Sequence, residues 1–311
     1  MILKSILIPS LVAAMQAVSA QEYNDQWDCS TYELEGTPTT FSTSTSAASS
    51  PTASSPTVAW LATSSSTGSN SPPQSPRGYH GIPANVQAFY EKVRAAGSCP
   101  IINNLKFPFF GGSVGDKKDF CYCDKFMENK GFYIKGPGSD LAPMQVDCDG
   151  NQKGLTPRCG HSKDIQPQTA FQSHAQAFGI PDLRADIHPY VVLGNEGSAP
   201  GFTTFDPRSY NVEPLSVVAV VCNGKLIFGI WGDINGVDGP PLVGEGSIAL
   251  ATACFGDSIS GSNGHDQNDV LYIAFSGPDA VPGDTANWKA NTYEEFEASI
   301  TDLGNKLVAC L

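Results

Sequence analysis

Two carboxylates, Asp233 and Glu245, stand in the stretch Gly229 to Ser247, which reads Gly-Ile-Trp-Gly-Asp-Ile-Asn-Gly and then, after a proline-containing segment, Gly-Glu-Gly-Ser. Breaking a glycosidic bond takes one carboxyl that holds a proton for the leaving oxygen and one ionised carboxyl that activates water or attacks the sugar. Asp233 follows the apolar run Leu226 to Trp231, and Glu245 precedes the strand-like run Ile248 to Ala253. The glycine- and proline-rich segment Gly236 to Val243 would let both side chains converge on a sugar ring stacked on Trp231, with Asn235 as a further sugar contact. Local pattern alone admits a second reading, in which both are hairpin carboxylates facing water.

Two more acids flank a cysteine in Val146-Asp147-Cys148-Asp149-Gly150. At a strand end, alternation would put both carboxylates on the face opposite Cys148, where they could line a cleft. Aspartates before a glycine also bond their own backbone in turns. His188 and His265 could each serve as a general base in a nucleophile triad. No serine elbow or reactive cysteine accompanies them, so a structural role is expected for both. The segment Gly131 to Gly138 lacks the Lys-Ser/Thr ending of a phosphate loop. No cofactor is expected and no metal: one residue separates Cys121 from Cys123, which is not the spacing of a zinc knuckle.

The elements that must hold these groups are mostly strands. Tyr190 to Leu193, Ser216 to Cys222, Leu226 to Trp231 and Val270 to Phe275 are rich in Val, Ile, Phe and Tyr and are punctuated by Gly, Pro, Asn and Asp. Helical spacing of apolar residues marks Pro83 to Ala96 and Thr292 to Leu307, with a shorter candidate at Thr169 to Gly179. The expected class is all-β dominated, a β-barrel with a few peripheral helices, stabilised by disulfides.

Residues 1–20 carry Lys4, an apolar run and the small residues Val18, Ser19 and Ala20, which read as a secretory signal peptide cut before Gln21. Residues 21–36 are a short acidic segment, and 37–78 are a Ser/Thr/Pro-rich linker of the kind that is O-glycosylated in exported proteins. The folded unit is expected over 79–311, secreted and without a membrane span. In an oxidising compartment the cysteines should pair. Eight of the nine fall after residue 77, enough for four bridges, and Cys29 is the odd one, which could stay free, pair between molecules or displace one of the eight. A net charge of −13 and a pI near 4.7 disfavour nucleic acid and anionic membrane surfaces and would attract a polycation.

Several stretches together resemble the fungal chitosanases of glycoside hydrolase family 75. They are Met144 to Gly150, Asp186 to Asn195, Pro214 to Cys222, Phe228 to Gly236, Gly244 to Ser247 and Asn268 to Phe275, so the likeness spans nearly all of residues 79 to 290. The chain departs from the family pattern at Ile234, at Gly246 and in a longer loop between the carboxylates. The resemblance implies a barrel, the double-psi type being one form, and endo-cleavage of β-1,4-linked glucosamine chains with inversion. It places the catalytic pair on Asp233 and Glu245. Glu245 is expected as the acid and Asp233 as the base, if the acid is the one in the more apolar pocket. Asp147, Asp149 and Asp269 would then meet the ammonium groups of chitosan, and the enzyme is expected to be a monomer. The rival readings are a non-catalytic, expansin-like wall-binding protein and an endoglucanase acting on neutral glucan.

Overall fold

The computed structural model describes residues 81–99, 104–112, 119–160, 162, 165–196, 200–236 and 240–311. The expected signal peptide, acidic segment, linker and Cys29 lie outside the described residues.

Ten strands form one mixed sheet: β1 (Asn104–Gly111), β2 (Phe120–Cys123), β3 (Gly131–Lys135), β4 (Ala142–Asp147), β5 (Tyr190–Asn195), β6 (Val217–Cys222), β7 (Lys225–Asn235), β8 (Leu242–Val243), β9 (Glu245–Ser247) and β10 (His265–Phe275). The order is β4-β9-β5-β7-β6-β10-β3-β2-β1-β8, and β10 pairs with β4 as well. Following the ladder from β4 through β9, β5, β7, β6 and β10 therefore leads back to β4. Most pairs are antiparallel, but β4/β9, β5/β7 and β1/β8 are parallel. Strands β5 and β6 of this ring are buried on both faces, which is why they read as near-continuous apolar runs with no alternation.

Four helices surround the sheet: α1 (Ala84–Ala95), α2 (Gln172–Ala177), α3 (Ile248–Phe255) and α4 (Tyr293–Val308). Thr292 caps α4 by accepting from the Glu295 N–H, and Glu294 and Glu295 complement the positive end of its dipole. The run Ile248 to Ala253 is a correction to the sequence expectation, for it is α3 rather than a strand. Seven consecutive residues of α3 are buried, so it shows no amphipathic period, and an all-round apolar run of this length reads the same in either state. What decides the matter is Ser247, whose Oγ accepts from the Leu250 N–H as a helix cap.

Disulfides join Cys99 to Cys121, Cys148 to Cys159 and Cys222 to Cys254, and Cys310 is disulfide-bonded as well. Of the eight later cysteines, whose four possible bridges left room for Cys29 to displace one of them, Cys123 is free. Its free thiol is buried and donates to the Tyr133 hydroxyl at 3.4 Å. Among the described residues no helix is long and apolar enough to cross a membrane.

A buried acid lies on α4. Glu297 on α4 is 1% exposed, and burial pushes its carboxyl up to about 7, partly offset by Thr301 and the Phe228 backbone. A raised folded-state value means that the unfolded chain ionises first as pH climbs from about 4.5 to 7. Stability from this group is full below that window and is lost through it, by on the order of 3 kcal/mol. Glu297→Gln is neutral throughout. Its Tm advantage over the parent should therefore grow by roughly 5–10 °C between pH 5 and pH 8. His188, held neutral by burial with its value lowered to about 4, changes stability in the opposite sense, but equally in both proteins. A Tm difference that does not change with pH would rule this account out.

Candidate active site

The order β9-β5-β7 sets the two expected catalytic residues on either side of one strand. Val192 of β5 pairs with Glu245 of β9 on one side and with Asp233 of β7 on the other. Adjacent strands lie about 4.8 Å apart, so the two backbones stand roughly 10 Å from each other. The loop between them is thus not what brings them together; β5 is.

Asp233 is 5% exposed. Its Oδ1 accepts from two backbone N–H groups, Ala170 and Ile234, each at 2.8 Å. The Ala170 donor is itself fixed from behind, because Asp182 accepts from Thr169 N (2.8 Å), Thr169 Oγ1 (2.7 Å) and Leu183 N (2.7 Å). Gly232, the preceding residue, packs so closely that a Cβ would lie 2.5 Å from that of Tyr190 and 2.8 Å from Leu183.

Trp231 is wholly buried, and this corrects the expectation that a sugar stacks on it. Its indole N–H donates to the carbonyls of Leu193 (3.0 Å) and Asp233 (2.8 Å), and Phe171 meets its ring edge-on at 4.7 Å. Its role is to brace the β5–β7 backbone that carries Asp233. Asn235 is half-buried and donates to the Leu242 carbonyl at 3.3 Å.

Glu245 is half-buried. The residues after it explain its motif. Ser247 Oγ accepts from Tyr190 N (3.0 Å), donates to the His188 carbonyl (3.0 Å) and caps α3, so one hydroxyl joins β9 to β5 and to the helix. Gly244 has φ +86°, and any Cβ there would sit 2.7 Å from the Pro143 carbonyl. No larger residue fits that turn.

The structure draws Asp147 and Asp149 to Asp233. An oxygen from each of the three lies within 4.8 Å of the others, and Asp147 and Asp149 are 7% and 8% exposed. Asp147 Oδ1 accepts from Asp149 N (2.7 Å), and Asp149 Oδ1 from Gln166 N (2.7 Å). The buried Tyr190 hydroxyl donates to the Asp149 carbonyl at 3.1 Å. Oxygen-rich sets of this kind can hold a hard cation. With one oxygen of each already taken by a backbone N–H, the set is first of all three carboxyls that cannot all ionise at such range. Burial holds the Asp233 carboxyl well above the usual carboxylate range. The Asp147 charge raises it further, and the two backbone donors oppose the shift only in part. Burial, followed by the same acids, raises the Tyr190 hydroxyl.

Asp269 is not one of these three gathered acids; it is half-exposed and pairs with His265 Nε2 at 2.7 Å. His265 stacks on Phe255. His188 is a core histidine: Nδ1 accepts from Arg184 N at 2.8 Å, leaving Nε2–H to donate to the Trp288 carbonyl at 3.1 Å. Sequence reasoning missed Asp182, Tyr190 and Ser247, whose parts depend on partners 13 to 59 residues away in the chain. A cavity of about 290 Å³ lined by Arg158, Arg184, Asp186, Thr252 and Glu294 includes neither Asp233 nor Glu245.

Residues 144–310 match the sequence profile of the fungal chitosanases of glycosyl hydrolase group 75. The chain is 45% identical over 231 residues to the endo-chitosanase B of Aspergillus oryzae, covering 74% of this chain and 91% of that protein. It is 44% identical over 233 residues to the endo-chitosanase of Aspergillus fumigatus, covering 75% and 92%. The endo-chitosanase C of Aspergillus oryzae is similar at 34% identity over 182 residues, which is 58% of this chain and 42% of that protein.

Proposed function

Because the chain belongs to the fungal chitosanases of glycosyl hydrolase group 75, we propose that it cleaves β-1,4 linkages within chitosan with inversion, using Asp233 and Glu245. The observation that carries the pair is their placement on either side of Val192. An inverting site needs carboxyls roughly 6.5–9.5 Å apart so that a water fits behind the sugar, whereas a retaining site needs about 5 Å. Backbones two strand spacings apart suit the wider gap.

The roles are the reverse of the sequence expectation. Asp233 gives the proton, because burial and two neighbouring acids keep its carboxyl protonated. Glu245, half-buried and open to solvent, activates the water. Protonation of the linking oxygen by Asp233 and attack by water on the opposite face then proceed together, and Glu245 takes the water's proton. The ring of pairings that closes through β4 and β10 supports the barrel reading, double-psi type included. The net charge of −13 suits a polycationic substrate. Export by the leader and action as a monomer complete the reading.

The test is incubation with soluble chitosan and, separately, with carboxymethylcellulose. Reducing ends should appear from chitosan alone, with a rapid fall in viscosity that marks internal cuts. Proton NMR should show the α-anomer first. Absence of reducing ends from chitosan defeats the activity, and a first-formed β-anomer defeats inversion.

A further inference from the structure

Chitosan carries an ammonium on each glucosamine, so a cleft that cuts it needs carboxylates the substrate can reach without first stripping them from buried partners. Asp147 and Asp149 do not meet that need, being 7% and 8% exposed and gathered around Asp233. Asp269 is already paired with His265 at 2.7 Å. On the other flank of the site, Gln145 of β4 is the in-register partner of Glu245. Register partners on neighbouring parallel strands lie about 4.8 Å apart with their side chains on one face. The Gln145 amide donates from Nε2 to Asp266 Oδ1 at 2.9 Å. Asp266 stands at the start of β10, next to His265, which pairs with Met144 of β4. Its side chain is exposed, and among the described residues its second oxygen accepts no hydrogen bond. A carboxylate is thus aimed by a fixed amide, one side chain away from Glu245, with a free oxygen facing solvent.

We infer that Asp266, held by Gln145, takes the ammonium of the glucosamine unit that lies beside Glu245. The inference rests on the proposed chitosan hydrolysis and adds to it the residue that distinguishes a glucosamine from an acetylated unit at that position. An acetamido group brings no charge and more bulk, so it gains nothing from Asp266.

The test compares the full chain, Asp266→Asn and Asp302→Asn on fully deacetylated and on heavily acetylated soluble chitosan. Asp302 is an exposed acid on α4, and its substitution removes the same net charge away from Glu245 and Asp233. A charge-assisted contact at a solvent-facing site corresponds to a KM increase of roughly three- to tenfold for Asp266→Asn on deacetylated chitosan, with kcat within about twofold. The increase should shrink on acetylated polymer and at high salt. The inference is overturned by an unchanged KM, by an equal rise in Asp302→Asn, or by a fall in kcat at constant KM. If the parent protein itself releases no reducing ends from chitosan, the functional reading falls instead.

Discussion

Asp233→Asn and Glu245→Gln are each expected to lower kcat/KM on chitosan by roughly 10²- to 10⁴-fold, the usual weight of a general acid or base. Neither change should unfold the protein. In Asp233→Asn the new side-chain amide keeps a carbonyl oxygen that can still accept from the Ala170 and Ile234 N–H groups that now hold Asp233 Oδ1, and Glu245 lies on a half-buried face. The two variants should differ in what rescues them. A chitooligosaccharide with a nitrophenolate leaving group needs no proton donor, so Asp233→Asn should regain most of its activity on it and Glu245→Gln should not. The opposite pattern would restore the assignment expected from sequence, with Glu245 as acid.

The pH profile gives a second reading of the same pair. A general acid must be protonated, so activity is lost as pH rises through its pKa and the basic limb of kcat/KM reports Asp233. Asp147 raises that value by like-charge repulsion, after burial. Asp147→Asn should therefore move the basic limb to lower pH and leave the acidic limb, set by Glu245, in place. A basic limb that stays where it is would mean that Asp147 acts on the fold and not on the proton.

Strand positions and the two long helices were legible because they depend on near neighbours. Val and Ile runs gave β6 and β10, and the apolar spacing after Thr292 gave α4. The likeness to a family picked out Asp233 and Glu245. Long-range partners had to be seen in the fold. Nothing local distinguishes Trp231 as a buried brace from Trp231 as a sugar platform; its burial follows from Phe171 and the β5 carbonyls. Asp147 and Asp149 look like solvent-facing acids in a turn, and their approach to Asp233 depends on the ring that closes through β4 and β10 and sets β4 across from β7. The free Cys123 was equally hidden, since pairing in a sheet this wound is fixed by which Cβ atoms meet and not by count.

The Cys148–Cys159 bridge is where stability and chemistry should fail together. Cys148 lies between Asp147 and Asp149, and the bridge closes a loop of sequence separation 11 with both cysteines buried. Closing a loop of that size is worth about 3 kcal/mol by chain entropy, so Cys148→Ser/Cys159→Ser should lower Tm by roughly 6–12 °C. The same change frees the turn that aims two acids at Asp233, so kcat/KM should fall at temperatures where the variant is still folded, with the basic limb of the pH profile displaced. Cys222→Ser/Cys254→Ser is the control. Its bridge closes a longer loop, of sequence separation 32, and joins the end of β6 to the end of α3. It should cost at least as much in Tm while leaving kcat/KM and the pH profile of the folded enzyme unchanged. Equal activity losses in the two double variants would show that the disulfides act through global stability alone, and would detach Cys148 from the site it flanks.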